Sequence, residues 1–189
     1  MTDQGTDQGR VYQLKMTLAD IRPPIWRRVL IPADTKLPWL HRLFQVVMGW
    51  ENYHLHAFVG GEVTYGEPDP DFDEPRILSE RRVRLMTIAG EEKTSFIYAY
   101  DLGDGWRHEV EVETILPAEP RALYPLCTAG KRACPPEDCG GPWGYARFLE
   151  ALADPAHEEH EPFRQWIGGV FDAEGFDLNA VNRALRKVR

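Results

Sequence analysis

"YAYDLGDGWRHEV", residues 98–110, decides the fold. Gly103 and Gly105 bracket Asp104, and an Asp-Gly pair between two aromatic-rich runs is the sequence sign of a turn between paired strands. The run leaving that turn alternates without a break. Trp106, His108, Val110 and Val112 fall on one side, and Arg107, Glu109, Glu111 and Glu113 on the other. A side-chain period of two predicts a strand over 106–115, one face buried and the other wet, paired with a strand over 94–101.

Upstream, Tyr12, Leu14, Met16 and Leu18 alternate with Gln13, Lys15 and Thr17, predicting another half-buried strand over 11–19. Pro23-Pro24 breaks the chain before a strand over 25–31. Leu37, Leu40, Phe44, Val47 and Met48 then fall at helical intervals, with Asp34 or Thr35 as cap and Gly49 as stop, so 37–49 reads as a buried helix. Further strands are expected at 52–59, 62–66 and 82–88. After Pro117 the spacing turns helical: Tyr145, Phe148, Leu149 and Leu152, then Phe163, Trp166, Ile167 and Val170, then Leu178, Val181, Leu185 and Val188 behind Asp177. Strands followed by helices mean an α+β fold. The expectation is a single domain over 11–189, with a mainly antiparallel sheet packed on one N-terminal helix and helices at the C-terminal end. Residues 1–10 repeat TDQG without apolar anchors and are expected to be a disordered tail.

A chain of 189 residues is long enough to bury about 70% of the surface its unfolded form exposes. Its formal charge of −8 opposes general affinity for nucleic acid or anionic membranes. The N-terminus lacks the basic and apolar regions of a signal peptide, and no stretch approaches the roughly 18 apolar residues of a membrane span, so a cytoplasmic location is expected. Three cysteines are an odd number for a disulfide framework, leaving metal binding, thiol chemistry or burial.

Three segments carry candidate chemistry. In "ENYHLHAFVGGE", residues 51–62, His54, His56 and Phe58 share one face of the expected strand. Two imidazoles at i and i+2 stand about 7 Å apart at the backbone, near enough to converge on one ion or substrate. The plainer reading is a polar sheet face. In the hairpin, His108 falls on the apolar face, where an imidazole needs a hydrogen-bond partner, a metal or a neutral form held by desolvation. Asp101 or Asp104 would orient it as a general base needs; a satisfied core histidine is the competing reading.

The third segment is "YPLCTAGKRACPPEDCGGPWGY", residues 124–145. Cys127, Cys134 and Cys139 offer three soft ligands, and His108 would complete a tetrahedral zinc set. The spacing is not that of a zinc knuckle or ribbon. The structural alternative is a loop stiffened by Pro135-Pro136 in which Glu137 or Asp138 accepts amide hydrogen bonds. Gly140-Gly141-Pro142 then turns into a helix with Pro142 in its first turn. Two weaker patterns stand elsewhere in the chain. Asp69, Asp71, Asp73 and Glu80 match calcium-loop positions, but Glu74 stands where glycine is required. Arg82 and Arg84 share a face of the expected 82–88 strand, where they would meet phosphate or guard an edge against pairing; the acidic charge of the whole chain favours the second.

"MGWENYHLHAF", "YDLGDGWRHEVEVE", "CPPEDCGGPWGYARFLEALADPAH" and "FDLNAVNRAL", taken in order, resemble the plasmid pRiA4b ORF-3-like family, whose members include passenger proteins of mobile elements. The resemblance runs from about Val11 to the C-terminus. It implies a single α+β domain with an accessory or regulatory role, and sets no reaction. Its signature positions fall here on His54, His56, Asp101, Gly103, Asp104, Trp106, His108, Cys134, Pro135, Pro136, Glu137, Asp138, Gly140 and Gly141. In the family pattern the Cys139 position also takes an apolar residue, which weakens the three-cysteine zinc set.

The expectation is therefore one polar pocket, with the proline-stiffened loop lying over the 101–108 turn and the H-x-H strand. It gathers His54, His56, Asp101, Asp104, Trp106, His108, Glu137 and Asp138. Two functions compete for it. One is a binding domain, with or without zinc, that meets a protein partner from the same mobile element. The other is a metal-dependent hydrolase with His108 as base, Asp104 aligning it and Glu137 beside an activated water.

Overall fold

The computed structural model describes residues 9–68 and 77–188. Its strands are β1 (Arg10–Leu18), β2 (Trp26–Pro32), β3 (His56–Gly60), β4 (Val63–Gly66), β5 (Ile77–Ser79), β6 (Ser95–Tyr100), β7 (Trp106–Pro117) and β8 (Leu126–Lys131). Its helices are α1 (Leu37–Met48), α2 (Leu85–Ile88), α3 (Gly141–Ala153), α4 (His160–Trp166) and α5 (Leu178–Leu185), with a 3-10 turn at Glu80–Arg82. Among the described residues the strands form one sheet in the order β5-β4-β3-β6-β7-β1-β2-β8. Every neighbouring pair is antiparallel except β4–β5, so the fold is α+β with a mainly antiparallel sheet. No helix of the described residues is long and apolar enough to cross a membrane.

The alternation in β7 holds: Trp106, His108, Val110 and Val112 are all fully buried, while Arg107, Glu109 and Glu111 are exposed. β1 lies between β7 and β2 and sends Tyr12, Leu14 and Met16 to the same face. α1 packs there through Leu37, Leu40, Phe44 and Val47, entering with a proline in its first turn and ending at Gly49 with φ 99°, the left-handed cap that glycine adopts without strain. Its entry residue is Lys36, whose side chain makes no capping bond, in place of the expected Asp34 or Thr35.

Arg27 locks the layers together. Only 2% exposed, it donates to the carbonyls of Val47 at 2.8 Å and Lys131 at 2.9 Å, and its guanidinium lies 4.4 Å from the Phe176 ring centroid. Burial lowers its pKa, yet three carbonyl acceptors, counting Trp26 at 2.8 Å, hold the cation in place.

Several boundaries depart from expectation. The segment expected as a strand over 82–88 is the 3-10 turn followed by α2. Leu85 is fully buried there, and the amides of Leu85 and Met86 bond the Thr35 and Ala33 carbonyls, so the chain is pinned beneath the β2–α1 connection instead of joining the sheet. Arg84 faces Asp34 at 3.5 Å and guards no strand edge. β3 begins at His56, because Asn52 turns the chain with φ 62° and residues 53–55 run as loop. β8 was not foreseen: LCTAGK shows no alternation, and its pairing with β2 holds it in the sheet. The expected tail over residues 1–10 ends early, because Arg10 already pairs in β1; its residues 1–8 and the calcium-loop aspartates at 69, 71 and 73 lie outside the described residues.

Candidate functional site

The loop from Cys134 to Gly140 closes over the end of β6. Trp50 Nε1 donates to the Pro135 carbonyl at 3.0 Å. Glu137 Oε1 accepts from the Glu51 amide at 2.9 Å and from the Tyr100 hydroxyl at 3.0 Å. The Gly140 amide donates to Asp104 Oδ2 at 3.0 Å. α3 follows with Pro142 in its first turn. Its first residue, Gly141, has φ 68°, and a Cβ there would sit 2.3 Å from the Asp104 carbonyl oxygen, so only glycine lets the loop meet the 101–105 turn.

That contact gathers carboxylates from two distant segments around the imidazole of a third. His54 Nε2 lies 3.1 Å from Asp138 Oδ1, 3.6 Å from Asp101 Oδ2 and 3.9 Å from Glu137 Oε2. One donor atom each from His54, Asp101 and Asp138 falls within 4.8 Å of the others, a candidate metal-ligand group among the described residues. Asp101 is 6% exposed and sits at φ 52°, and its Oδ1 accepts the amides of Gly103 at 3.0 Å and Asp104 at 3.2 Å. The Oδ2 atom is left facing His54. Two atoms at this meeting point, His54 Nε2 and Glu137 Oε2, are buried and satisfy no hydrogen-bond geometry. Burial, then the hydrogen bond with Glu137, pushes the Tyr100 hydroxyl up to about 12, so it stays a donor to that carboxylate.

His56 leaves this group for another. Its Nε2 meets Glu80 Oε2 at 3.0 Å, and its ring stacks on His41 with centroids 3.5 Å apart and planes within 3°. The His41 tautomer follows from its partners. Asn52 Oδ1, at 2.5 Å, only accepts, so Nε2 carries the proton and Nδ1 accepts from the Tyr98 hydroxyl at 2.7 Å. Burial, reinforced by His56, lowers His41 to about 4 and keeps it neutral. A cleft of about 340 Å³ opens over these groups, lined by His41, His54, Leu55, His56, Glu80 and Leu102 among others. The H-x-H pair therefore shares a cleft while its two rings serve different carboxylates.

His108 and Trp106 stay outside. His108 is fully buried; its Nδ1 meets the Tyr98 carbonyl at 3.1 Å and its Nε2 has no hydrogen-bond partner. Asp104 is therefore not its aligning partner. Burial lowers His108 to about 4, leaving a neutral core imidazole. Trp50 separates it from the cleft, edge-on to His108 at 5.2 Å and stacked on Tyr100 at 4.8 Å. Trp106 is likewise fully buried and does not line this cleft. The three cysteines are free thiols and do not form one ligand group with His108 among the described residues. Burial raises Cys127 to about 11 and Cys139 to about 12 and lifts Cys134 well above its usual value, holding all three protonated.

Sequence reasoning missed His41, Asn52, Glu51 and Tyr100. One signal was present: position 41 lies four residues after Leu37 and three before Phe44, so a histidine there sits on the apolar stripe of α1 and needs a buried partner. Glu80 was noticed only as the last position of a calcium loop.

The sequence profile of the plasmid pRiA4b ORF-3-like protein family matches residues 10–180, and the chain belongs to that family. The uncharacterized protein y4hQ of Sinorhizobium fredii is 39% identical over 176 residues, covering 93% of this chain and 90% of its own. The crystal structure of MM3350 from Methanosarcina mazei Go1, a protein of unknown function, superposes with a TM-score of 0.79 at 39% identity. That match covers 90% of this chain and 97% of the other.

Proposed function

We propose that this chain is an accessory binding domain of plasmids and mobile elements, and that its ligand binds beside His54, where the proline-stiffened loop, the 101–105 turn and the start of β3 meet. The observation that carries this reading is convergence. His54, Asp101, Glu137 and Asp138 come from three segments far apart in sequence, meet within 4 Å of the His54 nitrogen, and leave two buried polar atoms without partners. Buried polar groups are normally satisfied, and exceptions cluster where a ligand completes the set. The exposed side chains of Tyr53, Leu55 and Leu102 are sequence neighbours of His54 and Asp101 and give the site an apolar rim. The hydrolase built on His108 finds less support, since that imidazole is sealed from solvent and hydrogen-bonded to a backbone carbonyl.

The test is amide chemical-shift mapping of the isotope-labelled chain against a set of small polar organic fragments. The reading predicts shifts concentrated at residues 41, 54–57, 80, 101–102 and 137–138. Shifts confined to the larger groove of about 640 Å³ lined by Trp39, Leu123, Tyr124 and Leu185 contradict it.

A further inference from the structure

We propose that the meeting point of His54, Asp101 and Asp138 holds a divalent transition-metal cation, ligated by His54 Nε2, Asp101 Oδ2 and Asp138 Oδ1, with Glu137 acting on it through a coordinated water; this rests on the reading of that meeting point as the binding site. Four features of the geometry lead there. Ligands placed 2.0–2.2 Å from a tetrahedral ion stand about 3.4 Å from one another. The oxygens of Asp138 and Asp101 lie 3.1 and 3.6 Å from the His54 nitrogen, already at that spacing. The nitrogen lies within 4 Å of three carboxylate oxygens yet meets hydrogen-bond geometry with none of them, a polar atom left for another partner.

The outer oxygens are fixed in the manner of a metal site's supporting shell. Asp101 Oδ1 is held by two turn amides, and Glu137 Oε1 by the Tyr100 hydroxyl and the Glu51 amide, which turns the other oxygen of each carboxylate inward. Asp101 is nine-tenths buried in this arrangement. Charge points the same way. Three carboxylates within 4 Å of a single imidazole exceed what one imidazolium neutralises, and a divalent cation removes their mutual repulsion. One imidazole with oxygen donors and no thiolate selects a manganese-to-zinc type ion over a thiophilic one.

Cobalt(II) is the probe, because thiolate ligation gives an intense sulfur-to-metal absorption that nitrogen and oxygen ligation lacks. Chelator-treated full-length chain is titrated with cobalt(II) salt by absorption spectroscopy and calorimetry. One equivalent is expected to bind without the sulfur band. His54→Gln and Asp101→Asn should each weaken the affinity by about 100-fold or more, and Cys134→Ala should leave it unchanged. Since Asp101 also holds its turn, Asp138→Asn is the companion variant; its side chain is 68% exposed, so its loss of affinity is free of any folding defect. No saturable binding by the wild-type chain overturns the proposal, as does binding that survives His54→Gln and vanishes in Cys134→Ala. If cobalt fails while organic fragments still shift the cleft amides, the cation reading falls alone; if neither binds, both readings fall.

Discussion

His108 stays neutral in the folded chain because it is fully buried, with one ring nitrogen on the Tyr98 carbonyl, and burial brings it from 6.5 down to about 4. At this ring the unfolded chain binds a proton at higher pH than the folded one, so the contribution of His108 to stability is complete above pH 6.5 and is lost as pH falls from 6.5 to 4. A shift of this size corresponds to about 3 kcal/mol. His108→Leu should remove that part of the acid sensitivity: urea midpoints measured from pH 7 to 4 will fall less steeply than in the wild type, whatever the variant's stability at pH 7. Parallel slopes for the two proteins contradict the buried neutral form.

Three residues around the two imidazoles of the H-x-H segment, Asn52, Asp101 and Asp138, hold φ of 62°, 52° and 55°, a region that asparagine and aspartate tolerate better than other side chains and glycine best of all. Asp138→Gly should therefore keep or slightly raise stability, by up to about 1 kcal/mol, while cobalt affinity drops; the pair of measurements separates the backbone role from the ligand role. Individual site residues were legible where the sequence stated their chemistry outright, as with His54, Asp101, Glu137 and Asp138. His41 and Tyr100 were not, because their roles come from cross-element hydrogen bonds that periodicity does not encode.

Among the elements, the strongest sequence signal, the alternation of β7, also gave the most accurate outcome. Side-chain period alone sets which face is buried, and no tertiary contact opposed it. The 82–88 segment failed for the opposite reason: "RRVRL" alternates, but Leu85 is drawn under the β2–α1 connection and the backbone coils to reach it. The loop-to-helix junction at α3 shows how local backbone serves the site. Gly141→Ala would place a methyl 2.3 Å from the Asp104 carbonyl at a φ unfavourable to alanine, forcing the loop off the turn. The expected cost is about 2 kcal/mol or more in urea denaturation, with loss of cobalt binding. Gly105→Ala, also at positive φ but with open space around its Cβ, should cost about 1 kcal/mol and leave the loop seated.

Across the whole molecule, the sheet order places β3 beside β6, which brings the 50–56 segment to the end of the hairpin that carries Asp101. The Cys-Pro-Pro loop reaches the same end because β8 lies at the far edge and the chain returns across the core into α3. The α+β class and the meeting of loop, turn and H-x-H segment follow from strand and turn chemistry along the chain. The exclusion of His108 does not, since it depends on Trp50 filling the space between. Arg27 fastens the layers that set these distances. Arg27→Met, which strands the carbonyls of Val47 and Lys131, should cost about 3 kcal/mol, read as a lower urea midpoint with an unchanged slope.

Crystals of the chain soaked in cobalt(II) and measured at the cobalt absorption edge test the central claim most directly. An anomalous peak bonded to His54 Nε2 and the inner oxygens of Asp101 and Asp138 is the predicted result. A peak at Cys134, or a cleft without one while cobalt is bound elsewhere in the molecule, contradicts it.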